Sequence, residues 1–250
     1  MLGPWTPLVA LAGTILPILW VKHWITRRLQ ELSMRWVGDP DVALTLYFVI
    51  LLPGVVIHEL SHWTMAKMLG VRVHKLSIGP ERKPRRKQVS LGSVRVGKVD
   101  PLRASLIGLA PLLVGSAAIL LIGHLVFGVD ELVRALSTQG IAGVQASLRE
   151  LIHVGDFALW LYLIFAISNA MLPSYSDMAT IRPVLIFLAL AAIILLVVVG
   201  VPTIPEAVVD AVNTTAGYLA TAFGLTLAAD AVFMLAIGIL TLFTRWVQGR

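Results

Sequence analysis

Runs of about 20 mostly apolar residues, the length that crosses a bilayer's hydrocarbon core, recur along the whole of this 250-residue chain. A span in lipid must satisfy its own backbone hydrogen bonds, so each such run is a helix unless it belongs to a closed barrel. Six candidate spans stand out, at roughly 5–21, 42–69, 103–127, 154–173, 183–201 and 225–244. No long hydrophilic stretch is left to build a soluble unit, since charged residues are only 14% of the chain and the mean hydropathy is +0.87. The expectation is an all-α polytopic membrane protein of about six transmembrane helices, a single integral domain over 1–250.

Charge sets orientation. The loop after the second span carries Arg72, Lys75, Arg82, Lys83, Arg85, Arg86, Lys87, Arg95, Lys98 and Arg103 against Glu81 and Asp100. Positive-inside bias makes this loop cytoplasmic, and alternation of six spans then brings both termini to the cytoplasmic face. The net charge of +6 resides in short loops between spans, which argues against a nucleic-acid partner and for contact with the bilayer. Trp5 to Val21 has neither a basic leader nor a small-residue cleavage site and is read as a retained first span. Lys22 to Trp36 mixes arginines with Trp24, Ile25, Leu29 and Leu32, the pattern of an interfacial amphipathic helix or a plain loop. Residues 206–222 combine valines with Glu206, Asp210 and Asn213 and are read as an external interfacial helix. Within the basic loop, Gln88 to Val96 alternates around Gly92-Ser93, which predicts a small β-hairpin turning at that pair.

Chemistry concentrates in the second span. His58-Glu59-Leu60-Ser61-His62 is a complete HExxH: two imidazoles four residues apart on one helical face can hold a zinc ion, and Glu59 is placed to act as general base. Three polar groups within five residues of an apolar span cost too much to be idle. Cysteine is absent, so the remaining ligand must be imidazole or carboxylate. Two aspartates compete for that place. His62 lies roughly 12 Å up its helix from Gly70, and Asp177 about 8 Å from Arg182, so their depths from the cytoplasmic face agree. Asp230 begins its span near the other face and reads as an interfacial or helix-packing carboxylate. Asp177 is therefore the expected third ligand. His23, His74, His124 and His153 lie near loops and span ends and carry no motif.

The stretch from His58 to Trp63, continuing through Ala66-Lys67-Met68-Leu69-Gly70-Val71 to Ser77-Ile78-Gly79-Pro80, resembles the site-2 protease family of intramembrane zinc metalloproteases. Asn169-Ala170-Met171-Leu172-Pro173-Ser174-Tyr175-Ser176-Asp177 is similar to that family's distal segment. It differs in a proline one residue late and in Met178 where glycine is usual. The resemblance covers 42–180 as a catalytic core, with accessory helices at 5–21, 183–201 and 225–244 and no inserted PDZ or other soluble domain. It implies one Zn²⁺ per chain on His58, His62 and Asp177, Glu59 as catalytic residue and Asn169 positioning substrate. It also implies a β element whose edge pairs with an extended substrate, and hydrolysis of peptide bonds in or near transmembrane segments of membrane proteins. The site would lie nearer the cytoplasmic face. A catalytically inactive metal-binding scaffold of the same fold and an ion-coupled transporter are the alternatives.

Overall fold

The computed structural model describes residues 5–83, 88–131, 134, 155–198 and 205–249. Helix α1 (Thr6–Val37) and helix α2 (Pro40–Met68) form an antiparallel pair whose turn is written in Gly38-Asp39-Pro40. Gly38 adopts the left-handed conformation (φ 75°) and returns its N–H to the Met34 carbonyl, which ends α1. Asp39 then accepts from the N–H groups of Asp41 and Val42 at 2.8 and 3.0 Å, with Pro40 preset for a first turn.

Strands β1 (Val73–Lys83) and β2 (Gln88–Val96) follow as one antiparallel ribbon. Helix α3 (Pro101–Leu125) starts on Asp100, which accepts from Arg103 N–H. That bond holds the exposed Asp100 carboxyl below its ordinary pKa. Helix α4 (Phe157–Met171) stops where Leu172, forced out of helical geometry by Pro173, turns extended at φ −65°, ψ 137°. Helices α5 (Tyr175–Val198) and α6 (Glu206–Val247) complete the described elements.

Five of these helices are long and apolar enough to cross a membrane. The fourth expected span is the short one: α4 has 15 residues, about 22 Å of rise against a hydrocarbon core of about 30 Å. Three other expectations are revised. Lys22 to Trp36 is neither loop nor separate helix but the second half of α1, which runs 32 residues without a break. Residues 206–222 are the first part of the 42-residue α6. Both stretches read as polar in isolation, and both are carried by the helix they extend and by the mutual packing of α1 and α6. The hairpin exists in the predicted loop, yet Gln88–Val96 is a single strand paired with Val73–Lys83, and Gly92 lies mid-strand opposite Ile78. The turn falls in 84–87, outside the described residues. His153 and the basic residues Arg85, Arg86 and Lys87 also lie outside them.

The helices meet in two apolar clusters. One joins Ile18 of α1, Ile119 and Ile122 of α3, Ile164, Ile167 and Met171 of α4, and Ala222 and Phe223 of α6. The other joins Val21, Ile25 and Leu29 of α1 to Tyr47, Leu51 and Val55 of α2, Phe165 of α4 and Ile237 of α6, where Phe165 stacks on Phe233 with centroids 4.0 Å apart. Gly54 on α2 faces the Ala166 backbone and Ala170 Cβ of α4, the small-residue contact that lets two membrane helices approach closely. Along α1 and α6 the contacts advance together, from Ile18 with Phe223 to Trp36 Nε1, which donates to Thr244 Oγ1 at 3.1 Å. The two helices thus run parallel, and their C-terminal ends sit side by side at the end of α2 away from the ribbon. Helix α5 packs through its first turns, where Gly108 of α3 abuts Asp177, Thr180 and Ile181 and Ser105 Oγ donates to the Thr180 carbonyl. Beyond Pro183 it presents Leu185, Ile186, Phe187, Leu188, Leu190 and Ile193 through Val198 outward.

Candidate metal centre

His58 and His62 lie one turn apart on α2, and each ring is fixed from behind by a different helix. His58 Nδ1 sits 2.8 Å from the Ala170 carbonyl of α4, and His62 Nδ1 sits 2.7 Å from the Ile107 carbonyl of α3. A carbonyl can only accept, so each Nδ1 carries the proton and each Nε2 turns a lone pair inward. This backbone bond is the usual device that fixes the tautomer of a metal-ligating histidine.

The two Nε2 atoms are 3.1 Å apart. Asp177 completes the triangle, with Oδ2 3.7 Å from His58 Nε2 and Oδ1 3.4 Å from His62 Nε2. Tetrahedral zinc with bonds of about 2.0–2.1 Å separates its ligand atoms by roughly 3.3 Å. The three separations bracket that value, the two to Asp177 being to different oxygens of its carboxylate. Side-chain exposures of 11% for His58, 8% for His62 and 13% for Asp177 leave little water to shield two facing lone pairs and a carboxylate. Among the described residues this is the group of His, Asp and Glu side chains with metal-binding spacing. Asp230, the other aspartate weighed as a ligand, is not part of it.

Asp177 belongs to the first turn of α5 rather than to the end of the preceding span. Ser174 precedes it by three residues, and the two side chains bond reciprocally: Asp177 N–H donates to Ser174 Oγ at 3.3 Å, while Ser174 N–H and Oγ–H donate to Asp177 Oδ2 at 2.8 and 2.6 Å. This is a capping box. Its acidic member is also the carboxylate that faces both imidazoles, so the break at Pro173, the helix start and the orientation of Asp177 are one local structure. The pattern Ser174-x-x-Asp177 after a proline was the available sequence signal for it.

Glu59 is 5% exposed and faces the ribbon rather than lipid. A Cβ placed on Gly92 would lie 2.6 Å from both Cγ and Oε1 of Glu59, closer than real side chains stand. The glycine read as a turn signal is instead a place where strand and helix touch. Ser90 Oγ donates to the Gly92 carbonyl, which stiffens the strand there.

A cavity of about 670 Å³ joins these groups. His58, Glu59, His62, Asn169 and Asp177 all line it, and so does the unbroken run Ser90–Val96 of β2. All five residues singled out from the sequence therefore share one chamber. Asn169 Nδ2 donates to the Phe165 carbonyl at 2.9 Å and to Asp230 Oδ1 at 3.0 Å. Ser168 Oγ adds a bond of 3.3 Å to the same Asp230 oxygen.

Of the two readings of Asp230, interfacial or helix-packing carboxylate, the structure has the second: it is a buried partner of Asn169, 2% exposed. The interfacial reading followed from starting its helix at 225 when the helix starts at Glu206. Lys22 was missed altogether: assigned to an interface, it lines this chamber. Of the other histidines, His124 pairs with Asp130 at 2.5 Å on the exposed end of α3, remote from this chemistry.

Comparison with known proteins finds no matching family, no matching curated protein and no matching solved structure.

Proposed function

We propose that the chain is an intramembrane zinc metalloprotease hydrolysing peptide bonds in or near transmembrane segments of membrane proteins. The observation that carries this reading is the inward pair of Nε2 lone pairs 3.1 Å apart with Asp177 closing the triangle, set beside a buried glutamate on the same helix. The likeness of the His58–Pro80 and Asn169–Asp177 stretches to site-2 proteases supports it from the sequence. The donor set of two imidazoles and one carboxylate at these spacings suits zinc, one ion per chain. Zinc in that position supplies Lewis acidity to a scissile carbonyl and to an attacking water.

The chain's own residues do the rest. Glu59 takes the proton of the attacking water and delivers it to the departing amine, which makes it the catalytic residue. The Ala170 and Ile107 carbonyls keep both imidazoles in the ligating tautomer, and Ser174 holds the Asp177 carboxylate. Among the described residues β1 is the sheet partner of β2, and β2 lines the cavity, where its other edge can take an extended segment by strand addition. Substrate helices must unwind first, because a helix hides its carbonyls in its own bonds.

The bilayer is the natural environment of the exposed hydrocarbon side chains on α5. For the basic loop, charge argues a cytoplasmic location, which brings the metal centre nearer that face. The N-terminus follows it to that side. The side-by-side ends of α1 and α6 argue against the same location for the C-terminus.

Cleavage of a transmembrane peptide by the purified protein in nanodiscs, abolished by a chelator and restored by zinc, is the test. A zinc-loaded protein without peptide-bond cleavage would turn the reading to an inactive scaffold, and ion flux dependent on Glu59 in liposomes would turn it to a transporter. Replacing Gly92 by valine probes the ribbon's contact with Glu59. Even its first carbon collides with the glutamate, so the strand must lift or the carboxylate must move. A displacement of about 1 Å at a reacting group costs on the order of a hundredfold. Gly92→Val is expected to lose cleavage on that scale while keeping its zinc, measured by turnover beside metal analysis.

A further inference from the structure

Lys22 is the one lysine that α1 brings to the metal cavity, among the residues lining it. It lines the same chamber as His58, Glu59, Asn169 and Asp177, within the electrostatic influence of Asp230 and Asp177. Nothing on α1 itself answers it. Among the described residues no carboxylate stands within ion-pair distance of the ammonium and no acceptor within hydrogen-bond distance. An ammonium set among membrane helices is costly and, where it persists, faces a polar cavity and a partner. Asp230 is already engaged by Ser168 and Asn169.

The same engagement fixes the Asn169 amide. With Nδ2 committed to Asp230 and to the Phe165 carbonyl, turning the amide over would set oxygen against oxygen, so Oδ1 stays as its other pole. Oδ1 has no hydrogen-bond donor among the described residues. The cavity is therefore lined by an ammonium with three protons to donate and by Asn169, whose buried amide oxygen has no donor among the described residues.

We infer that Lys22 is a substrate-binding residue of this cavity, its ammonium donating to a main-chain carbonyl of an unwound substrate segment. This deepens the protease reading and rests on it for the nature of the ligand. An unwound peptide in a membrane cavity exposes carbonyls that lack donors, and a charged donor in low dielectric binds such a carbonyl more strongly than a neutral one. Lys22 lies outside the HExxH helix and outside the segment bearing Asp177, so its loss leaves the metal ligands in place.

The test uses a leucine-alanine transmembrane peptide with a central Asn-Pro-Gly break and a fluorophore. Its binding is measured by anisotropy in nanodiscs on zinc-loaded protein carrying Glu59→Gln, so that nothing turns over. Lys22→Met is expected to raise the Kd about tenfold or more, the loss typical of a charge-assisted hydrogen bond. Lys22→Arg should recover most of it, with zinc content equal in all variants. Because Lys22→Met leaves Asp230 without its nearest cation, the double variant Lys22→Met, Asp230→Asn is measured beside it and should remain as weak.

An unchanged Kd in Lys22→Met, a wild-type Kd in the double variant, or no binding by protein that retains Lys22 overturns the inference. A double variant that binds normally would make Lys22 a counter-charge alone. Cleavage of the same peptide by protein with Glu59 intact separates the two readings. Lys22-dependent binding without cleavage removes the protease and keeps the site, whereas cleavage with Lys22-independent binding removes the site and keeps the protease.

Discussion

Glu59→Gln is expected to abolish peptide-bond cleavage, lowering kcat by about a thousandfold, while the protein keeps its zinc. The substitution retains shape and burial and removes the basic oxygen pair, so it isolates proton transfer, for which positioned acid–base groups contribute on the order of 10²–10⁴. Glu59 is buried against Gly92 and stands outside the His58–His62–Asp177 triangle, so no metal bond is lost with it. Zinc by mass spectrometry and cleavage of a transmembrane peptide are read on one preparation. Undiminished turnover would remove Glu59 from the chemistry, and lost zinc would make it a ligand.

Asp177→Ala should have the second largest effect, on metal content rather than proton transfer. It deletes the one carboxylate of the triangle and leaves two imidazoles, each still locked by a backbone carbonyl. Removing a group that merely orients a ligand weakens metal affinity by about 10–100-fold. Loss of a ligand should exceed that, so zinc affinity is expected to fall by more than about a hundredfold, followed by competition with a fluorescent chelator. Ser174→Ala supplies the graded comparison. It removes the hydroxyl that bonds Oδ2 at 2.6 Å but keeps the carboxylate, and a loss of about tenfold is expected. Equal zinc affinity in wild type and Asp177→Ala would place the third ligand elsewhere.

The centre was legible because its parts obey local rules. Two imidazoles four residues apart must share a helical face, and their polarity stands out in an apolar span. Asp177 was proposed from its depth, and the fold brings it beside both imidazoles although it belongs to the helix that starts after Pro173. The ribbon was legible as alternation but misread in its turn. Gly92-Ser93 is good turn chemistry, and only the neighbouring helix reveals that Gly92 is there for Glu59.

What escaped was set by partners far along the chain. Lys22 ends an apolar run and so reads as the edge of the membrane, until α6 packs alongside and carries α1 onward to Val37. Asp230 reads as a boundary because the polar first part of its helix reads as a separate segment. Its hydrogen bond to Asn169 joins residues 61 apart in sequence, a distance no local pattern reports.

The two imidazole-to-carbonyl bonds bear on how an ion would arrive. His58 is tied to α4 and His62 to α3, so either ring can swing only by giving up a hydrogen bond to a backbone carbonyl. Folding alone thus sets the two imidazoles and Asp177 close together, so an ion would meet ligands that need little rearrangement. Uptake should then proceed as a single bimolecular event whose speed is governed by access to the chamber, and release by bond breaking alone.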